Sequence, residues 1–374
     1  MKKSFLAGLT RSEFMRRHWQ KEPLLARNAL PDYADAVTRE TLFDLATRDN
    51  VESRIVSRRG GRWNVRHGPF TPDELARLPR RDWTLLVQGV EQSMPQASRL
   101  MSEFAFIPYA RLDDVMVSYA APGGGVGPHF DSYDVFLLQG SGTRRWQVSR
   151  QRDLELVADA PVKILARFLP EQEWIVQPGD LLYLPPQYAH DGVAIDECIT
   201  YSIGFRAPAA QELAGHFLDF LHDRLELEGR YADPDLVPTR NPGRLPPQMV
   251  ERAAAVLDSL RWSRPDVERF MGAYLTEPKA HVVFESPARG LTAAAFARRT
   301  KMRGLRLALP TRMLVAGKDV YINGERHEAP RASLKLFAGL ADDRELEPPV
   351  TGDTNALALL YGWYLAGYIE IRTA

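Results

Sequence analysis

Between residues 115 and 205 glycine and proline cut the chain into short apolar runs, none long enough to bury one face of a helix. Residues 115–119 lead into Ala121-Pro122-Gly123-Gly124-Gly125-Val126-Gly127-Pro128, a loop that neither helix nor strand would tolerate. Residues 133–139 end at the turn Gly140-Ser141-Gly142-Thr143, and Arg144–Ser149 follows. Gln177-Pro178-Gly179-Asp180 is a tight turn that launches Leu181–Leu184, which stops at Pro185-Pro186, and Cys198–Phe205 closes the series. Short strands between such turns predict an antiparallel barrel or jelly roll, whose interior can hold a ligand and a metal.

Two stretches of that barrel carry metal-ligand chemistry. His129-Phe130-Asp131 comes straight after the glycine loop, and His190 stands 59 positions beyond Asp131. H-x-D…H is the pattern of a facial triad, which holds one face of an octahedral Fe(II) and leaves the other free for co-substrate and O2. Neutral imidazole and carboxylate suit a redox metal of intermediate hardness, and the lack of thiolate ligands argues against structural zinc. The pattern alone is weak. Its setting, at the mouth of one strand and after the stop of another, makes it strong.

On the strand after the metal pair, alternation places Arg144, Trp146 and Val148 on one face and Arg145 and Gln147 on the other. A face shared with Trp and Val predicts the barrel interior, where a guanidinium can grip a carboxylate with two parallel hydrogen bonds. The alternative is an exposed arginine at a strand end. Ser118 shares the face of Met116 and Ala120 on the preceding strand.

From Pro122 through His129, Asp131 and Gln139 to Trp146, the sequence resembles the JmjC-type ribosomal oxygenases. Pro178-Gly179-Asp180-Leu181-Leu182-Tyr183-Leu184-Pro185-Pro186 with His190, and Tyr201 to Arg206, resemble the same family, as does the opening from Phe14 to Leu25. The similarity is nearest to the bacterial arginine hydroxylases of ribosomal proteins. It implies an α+β chain whose double-stranded β-helix (a jelly-roll, cupin-like JmjC barrel) uses Fe(II), O2 and the co-substrate 2-oxoglutarate, and releases succinate and CO2. It also implies hydroxylation of the β-carbon of one arginine in a large-subunit ribosomal protein, the L-sixteen protein. Related branches hydroxylate histidine instead, and that alternative stays open. The family assigns His129, Asp131 and His190 to the metal and Arg144 to the distal carboxylate of 2-oxoglutarate, helped by a hydroxyl at Ser118. Ser202 is a weaker candidate for the same pocket. Tyr133 and Asp134 lie just past the ligands, where Asp134 could pair with a substrate guanidinium or be an ordinary solvated or capping carboxylate.

The glycine loop would let a peptide backbone come close to the metal without meeting Cβ atoms. It is no phosphate cradle, having no G-K-[ST] and leading to a strand rather than a helix. The remaining histidines do not compete with the triad. His18 reads as a packing residue, and His67, His281 and His327 lack a carboxylate at ligand spacing. His216 and His222 share a helix but not a face.

Composition agrees with a soluble, cytoplasmic enzyme. Lys+Arg and Asp+Glu both total 48, so no global basic field exists to attract duplex DNA, and direct duplex binding is not expected. The single cysteine, Cys198, excludes a disulfide framework within the chain, fits a reducing compartment and reads as a small core residue. Residues 1–6 hint at a leader, but the apolar run is too short and arginines follow closely. No apolar stretch approaches the ~20 residues a membrane helix requires.

The sequence divides into an N-terminal catalytic unit (1–207), a helical region (208–278) and a C-terminal unit (279–374). Helical spacing begins at Leu213, and further helices are predicted over 249–260 and 265–275. After Pro278 the order is a helix near 292–299, strands near 305–309 and 320–322 with the hairpin turn Asn323-Gly324, helices near 332–340 and 355–366, and a strand at 368–371. That order suggests a winged-helix-like domain, although its last helix carries no Lys or Arg. The resemblance implies that the middle helices pair two subunits into a homodimer. Apolar stripes there could equally pack on their own barrel. Two other classes remain: a metal-dependent cupin enzyme acting on a small molecule without 2-oxoglutarate, and a non-catalytic peptide-binding module. The first gives Arg144 nothing to bind, and the second has no reason to keep all three ligands and Arg144.

Overall fold

All five runs read between residues 115 and 205 are strands in the computed structural model, which describes residues 5–33 and 36–373. Of residues 1–6, where the sequence hints at a leader, 1–4 lie outside the described residues and Leu6 is buried in the main core. The helix α1 (Arg11–Arg17) starts at a capping box, in which the Thr10 hydroxyl accepts from the Glu13 amide and the Glu13 carboxylate accepts from the Thr10 amide. There follow β1 (Leu24–Ala26), α2 (Arg39–Ala46), the hairpin β2 (Ser53–Arg59) and β3 (Arg62–His67), α3 (Pro72–Ala76), β4 (Trp83–Val87) and α4 (Pro95–Glu103). The barrel strands are β5 (Leu112–Ala120), β6 (Val135–Ser141), β7 (Arg144–Ser149), β8 (Gln172–Val176), β9 (Leu181–Leu184), β10 (Ala189–Ala194) and β11 (Cys198–Phe205).

These strands form two sheets, one in the order β1-β9-β6-β11-β5-β4-β2-β3 and one in the order β10-β7-β8. Ladders β11–β5, β11–β6, β10–β7 and β7–β8 are antiparallel, as a double-stranded β-helix requires. Period-2 alternation sends each strand's residues to two separate cores. Val115, Val117, Phe136, Leu138, Tyr183, Tyr201 and Ile203 point outward into a core shared with Phe14, Leu42 and Leu100 of the N-terminal helices. The opposite face contributes Val135, Leu137, Leu182 and Leu184, which meet Trp146, Val148 and Val176 from the smaller sheet. Each such side chain, fully buried, contributes roughly 1.5–3 kcal/mol, so both faces hold the large sheet in register. The site lies inside the second, smaller core.

The tail carries α5 (Ala210–His222), α6 (Pro247–Leu257), α7 (Arg264–Thr276) and α8 (Ala293–Arg303). Then come β12 (Leu305–Leu307), β13 (Met313–Ala316), β14 (Asp319–Ile322), β15 (Glu325–Glu328), α9 (Leu334–Asp343), β16 (Glu345–Leu346), α10 (Thr354–Leu365) and β17 (Ile369–Ile371). Asn323 and Gly324 have φ of 50° and 87°, both left-handed, which is the geometry the β14–β15 hairpin turn was predicted to need. The C-terminal unit has its own core of Phe296, Leu305, Val320, Phe337, Leu360 and Trp363. It is tied to the barrel through β5. The Arg312 guanidinium donates to the Asp113 carbonyl at 2.8 Å, and Lys279 lies 3.2 Å from the Asp114 carboxylate. Among the described residues no helix is long and apolar enough to cross a membrane.

Candidate active site

His129 and His190 come from distant stretches but face each other through a two-way backbone bridge. The His129 amide donates to the His190 carbonyl at 2.9 Å, and the His190 amide donates back at 2.8 Å. The imidazoles then sit with ring centroids 4.2 Å apart. Asp131 is fixed from the same side, because its carbonyl accepts from the Gln187 amide at 2.7 Å. One ligand atom from each of His129, Asp131 and His190 falls within 4.8 Å of the others.

Both rings are oriented by carbonyls on their Nδ1 side. His129 Nδ1 is 2.8 Å from the Gly127 carbonyl and His190 Nδ1 is 2.9 Å from the Tyr188 carbonyl. A carbonyl can only accept, so each Nδ1 carries a proton and Nε2 is the nitrogen each ring turns toward the metal position. Burial, then the neighbouring His129, pushes the His190 pKa down to about 4, so this ring is neutral at physiological pH. Two imidazoles presenting Nε2, together with a carboxylate, are the donor set for a divalent metal.

Arg144 occupies the predicted interior face. Register pairs Val148 with His190, Trp146 with Gly192 and Arg144 with Ala194, so the three side chains and the metal ligand share one side of the small sheet. Arg144 is 5% exposed, and its Nε and one Nη have no hydrogen-bond partner among the described residues. A buried cation left so costs several kcal/mol unless an anion reaches it. At about 3.3 Å rise per residue, Arg144 lies roughly 13 Å along the strand from the level of His190. Its side chain and a five-carbon dicarboxylate together can bridge that span. The residues therefore fit both a facial-triad metal and 2-oxoglutarate.

Ser118 also faces this interior, opposite Thr200, whose carbonyl its hydroxyl approaches at 3.5 Å. Ser202 is two positions along the same face, opposite Met116 and Leu137. The sequence reading missed Thr200 and Gln139, which join this polar row through a 3.1 Å hydrogen bond. Their signal was available: polar residues at inward positions of otherwise apolar strands.

Asp134 departs from its proposed pairing with a substrate. It is fully buried on the outward side, where its carboxylate accepts from the Tyr183 hydroxyl at 2.6 Å and from Gln20 at 3.0 Å. Arg111 completes its neutralisation at 3.5 Å. Tyr133, by contrast, is 41% exposed at the mouth. His18 is the packing residue expected, stacked on Phe14 with its Nδ1 toward the Pro23 carbonyl.

Comparison with known proteins matches this architecture. The JmjC domain model matches residues 99–213, and a ROXA-like winged-helix model matches residues 259–370. The chain is 34% identical over 363 residues to the ribosomal protein uL16 3-hydroxylase of Escherichia coli, covering 95% of this chain and 96% of that one. It is 39% identical over 211 residues to a Haemophilus influenzae protein named "Probable ribosomal oxygenase", covering 55% and 52%. The structure of the Escherichia coli ribosomal oxygenase YcfD in complex with cobalt and 2-oxoglutarate superposes with a TM-score of 0.82 at 32% identity, covering 98% of this chain and 99% of that one.

Proposed function

The chain belongs to the JmjC ribosomal oxygenases, and we propose that it hydroxylates the β-carbon of an arginine in a large-subunit ribosomal protein. It is a 2-oxoglutarate-dependent protein hydroxylase that uses Fe(II) and O2. The observation that carries the reading is the pairing of the triad with the unsatisfied Arg144 on one barrel face. A metal-dependent cupin enzyme that works without 2-oxoglutarate has no use for that guanidinium.

In this reading His129, Asp131 and His190 hold the metal, and Arg144 takes the distal carboxylate, with Ser118 and Ser202 on the facing sheet. A bound metal would let O2 serve as the oxidant, one oxygen atom going to the C–H bond to give an alcohol and the other to 2-oxoglutarate, which is oxidised to succinate and CO2. The protein's part is alignment. The carbonyls of Gly127 and Tyr188 aim both imidazoles, the Trp146 indole lies between Arg144 and His190, and Val148, Val135 and Leu137 keep water from the interior. Contrary to the sequence reading, the glycine loop does not hold open space for a peptide: a Cβ at Gly124 or Gly125 would run into the Trp83 or Gly192 carbonyl, so these glycines pack the chain's own backbone together.

Several features support the rest of the assignment. The division at residues 207 and 278 follows the ends of β11 and α7, with α7 touching the C-terminal unit where Thr276 accepts from the Gly324 amide at 3.0 Å. Homodimerisation through the middle helices agrees with the exposure of Leu218, Val250, Leu257 and Trp262 there. A cytoplasmic location is where a ribosomal protein would be met.

The test is incubation with Fe(II), 2-oxoglutarate and an arginine-containing ribosomal peptide, reading succinate and peptide mass together. Gain of one oxygen on arginine is expected. Gain on histidine overturns the substrate assignment, and succinate never coupled to any peptide favours a small-molecule substrate.

A further inference from the structure

The catalytic face of the large sheet does not end at the barrel. Register carries it outward from Ser118 through Leu86 to Arg54 and His67, and along β2 and β3 to the directly opposed pair Arg58 and Trp63. β3 is the free edge of that sheet. From Arg54 to Arg81 the sequence holds eight arginines against two carboxylates, in a chain whose charges cancel overall. One of those carboxylates, Glu74, is taken by Arg66. Arg58, Arg59, Arg62, Arg80 and Arg81 are exposed and form no ion pair among the described residues. They gather at one end, because the Arg58 amide donates to the Asp82 carbonyl at 3.0 Å and brings the Arg80-Arg81 loop against the hairpin tip.

Trp63 joins this cluster to the site. Its ring packs against Gly127, two residues before His129, so closely that a Cβ on Gly127 would crowd it at 2.8 Å. The Arg58 guanidinium lies over that ring, 5.3 Å from its centroid.

We propose that this hairpin tip is a docking surface for RNA, held through its phosphate backbone beside the entrance to the active site. Every cation in the cluster is arginine, whose planar fork grips phosphate oxygens bidentately and stacks on bases. An aromatic ring among such cations is the usual platform of sequence-tolerant single-strand binding. A ribosomal protein is itself cationic and would be repelled here, so the tip is not the groove for the protein substrate. RNA lying beside that substrate has the opposite charge. The inference rests on the ribosomal reading only for choosing RNA over another polyanion. The balanced net charge is no obstacle, because the field is local.

Fluorescence anisotropy of the full-length protein with a labelled single-stranded RNA of about 20 nucleotides tests it, at salt from about 0.05 to 0.3 M. Micromolar binding is expected, with log affinity falling against log salt at a slope near −3, from about 0.7 per phosphate contact. Arg59→Glu with Arg62→Glu is expected to weaken binding by more than about tenfold and to flatten the slope by about 1.4. Arg299→Glu with Arg303→Glu, on α8, serves as a charge-matched control and keeps binding. Equal melting temperatures show that both variants are folded. Absence of binding at about 0.1 M salt, equal loss in both variants, or equally effective competition by poly-glutamate overturns the proposal. Tighter binding of duplex DNA overturns the assignment to RNA. None of these readouts needs hydroxylation, so failure of the arginine assignment and failure of this one are separately visible.

Discussion

Arg144 and His190 sit on one face of a single antiparallel strand pair, Arg144 opposite Ala194 and His190 opposite Val148. One ladder thus sets both the metal end and the carboxylate end of the interior. Replacing Arg144 with Met separates binding from folding. The guanidinium is buried without partners for two of its nitrogens, so its loss relieves a desolvation cost in the ligand-free protein. The variant should melt no lower than the parent without ligand. Its 2-oxoglutarate requirement should rise at least ~30-fold, as expected when a buried charge pair worth about 2 kcal/mol or more is lost. A variant that melts much lower yet keeps the parent's KM for 2-oxoglutarate would show Arg144 to be structural.

Asp131→Ala is expected to abolish succinate formation and to weaken Fe(II) binding, read by calorimetry or by metal content after dialysis. The carboxylate is the one anionic member of the triad, and its Oδ2 lies 3.7 Å from His190 Nε2. Normal turnover in this variant sinks the metal assignment.

Much of this site was readable from residue order, and the unread parts share a cause. Alternation in Arg144–Ser149 gave the inward face because one apolar core selects one parity. Pro185-Pro186 marked the end of β9, yet His190 lies inside β10, whose Asp191 and Gly192 are poor strand formers held by pairing with β7. The hairpin of β2 and β3 was missed because arginines interrupt its alternation, although Gly60-Gly61 is a turn signal. Asp134 could not be placed from sequence at all. Tyr183 and Gln20, which fix it, are 49 and 114 positions away.

Tyr183→Phe tests that correction. The Tyr183 hydroxyl donates to Asp134 and accepts from the Gln20 amide at 2.8 Å, so its removal leaves one oxygen of the buried Asp134 carboxylate without its donor while Gln20 and Arg111 still hold the other. A loss of about 1–3 kcal/mol of stability is expected in denaturant titration, with peptide KM unchanged. Were Asp134 instead the substrate's partner, Asp134→Asn would raise peptide KM at unaltered stability.

Glu91 makes stability depend on pH. It is 6% exposed, one carboxylate oxygen accepts from the Val115 amide at 2.8 Å, and burial followed by the nearby Asp114 pushes its pKa up to about 7 from 4.5. Between those values the folded chain binds the proton that the unfolded chain has lost. Stability contributed by this group is therefore full below about pH 4.5, falls as pH rises, and levels off above about pH 7. The span is on the order of 3 kcal/mol. Glu91→Gln keeps an acceptor for Val115 and removes the titration, so it should raise the melting temperature at pH ~8 while leaving pH ~5 nearly unchanged. Equal destabilisation at both pH values would rule the group out.

Gly192 is the position where one methyl group should disturb both ends of the site. A Cβ there would overlap the Trp146 indole, which lies flat against the backbone of β10. That indole carries the Arg144 guanidinium at 5.5 Å on one side and has its centroid 5.8 Å from the His190 ring on the other. Close-packed interiors answer such an intrusion by moving side chains, at a cost of typically 1–3 kcal/mol. Gly192→Ala should therefore lower stability and raise the KM for 2-oxoglutarate together, with a smaller effect on metal content because the backbone bridge between His129 and His190 is untouched. Trp146→Phe makes room, so the double variant should recover part of the lost affinity. A double-mutant cycle reads this as coupling of roughly 0.5–3 kcal/mol between contacting residues. Strictly additive effects would show that the indole does not transmit the strain.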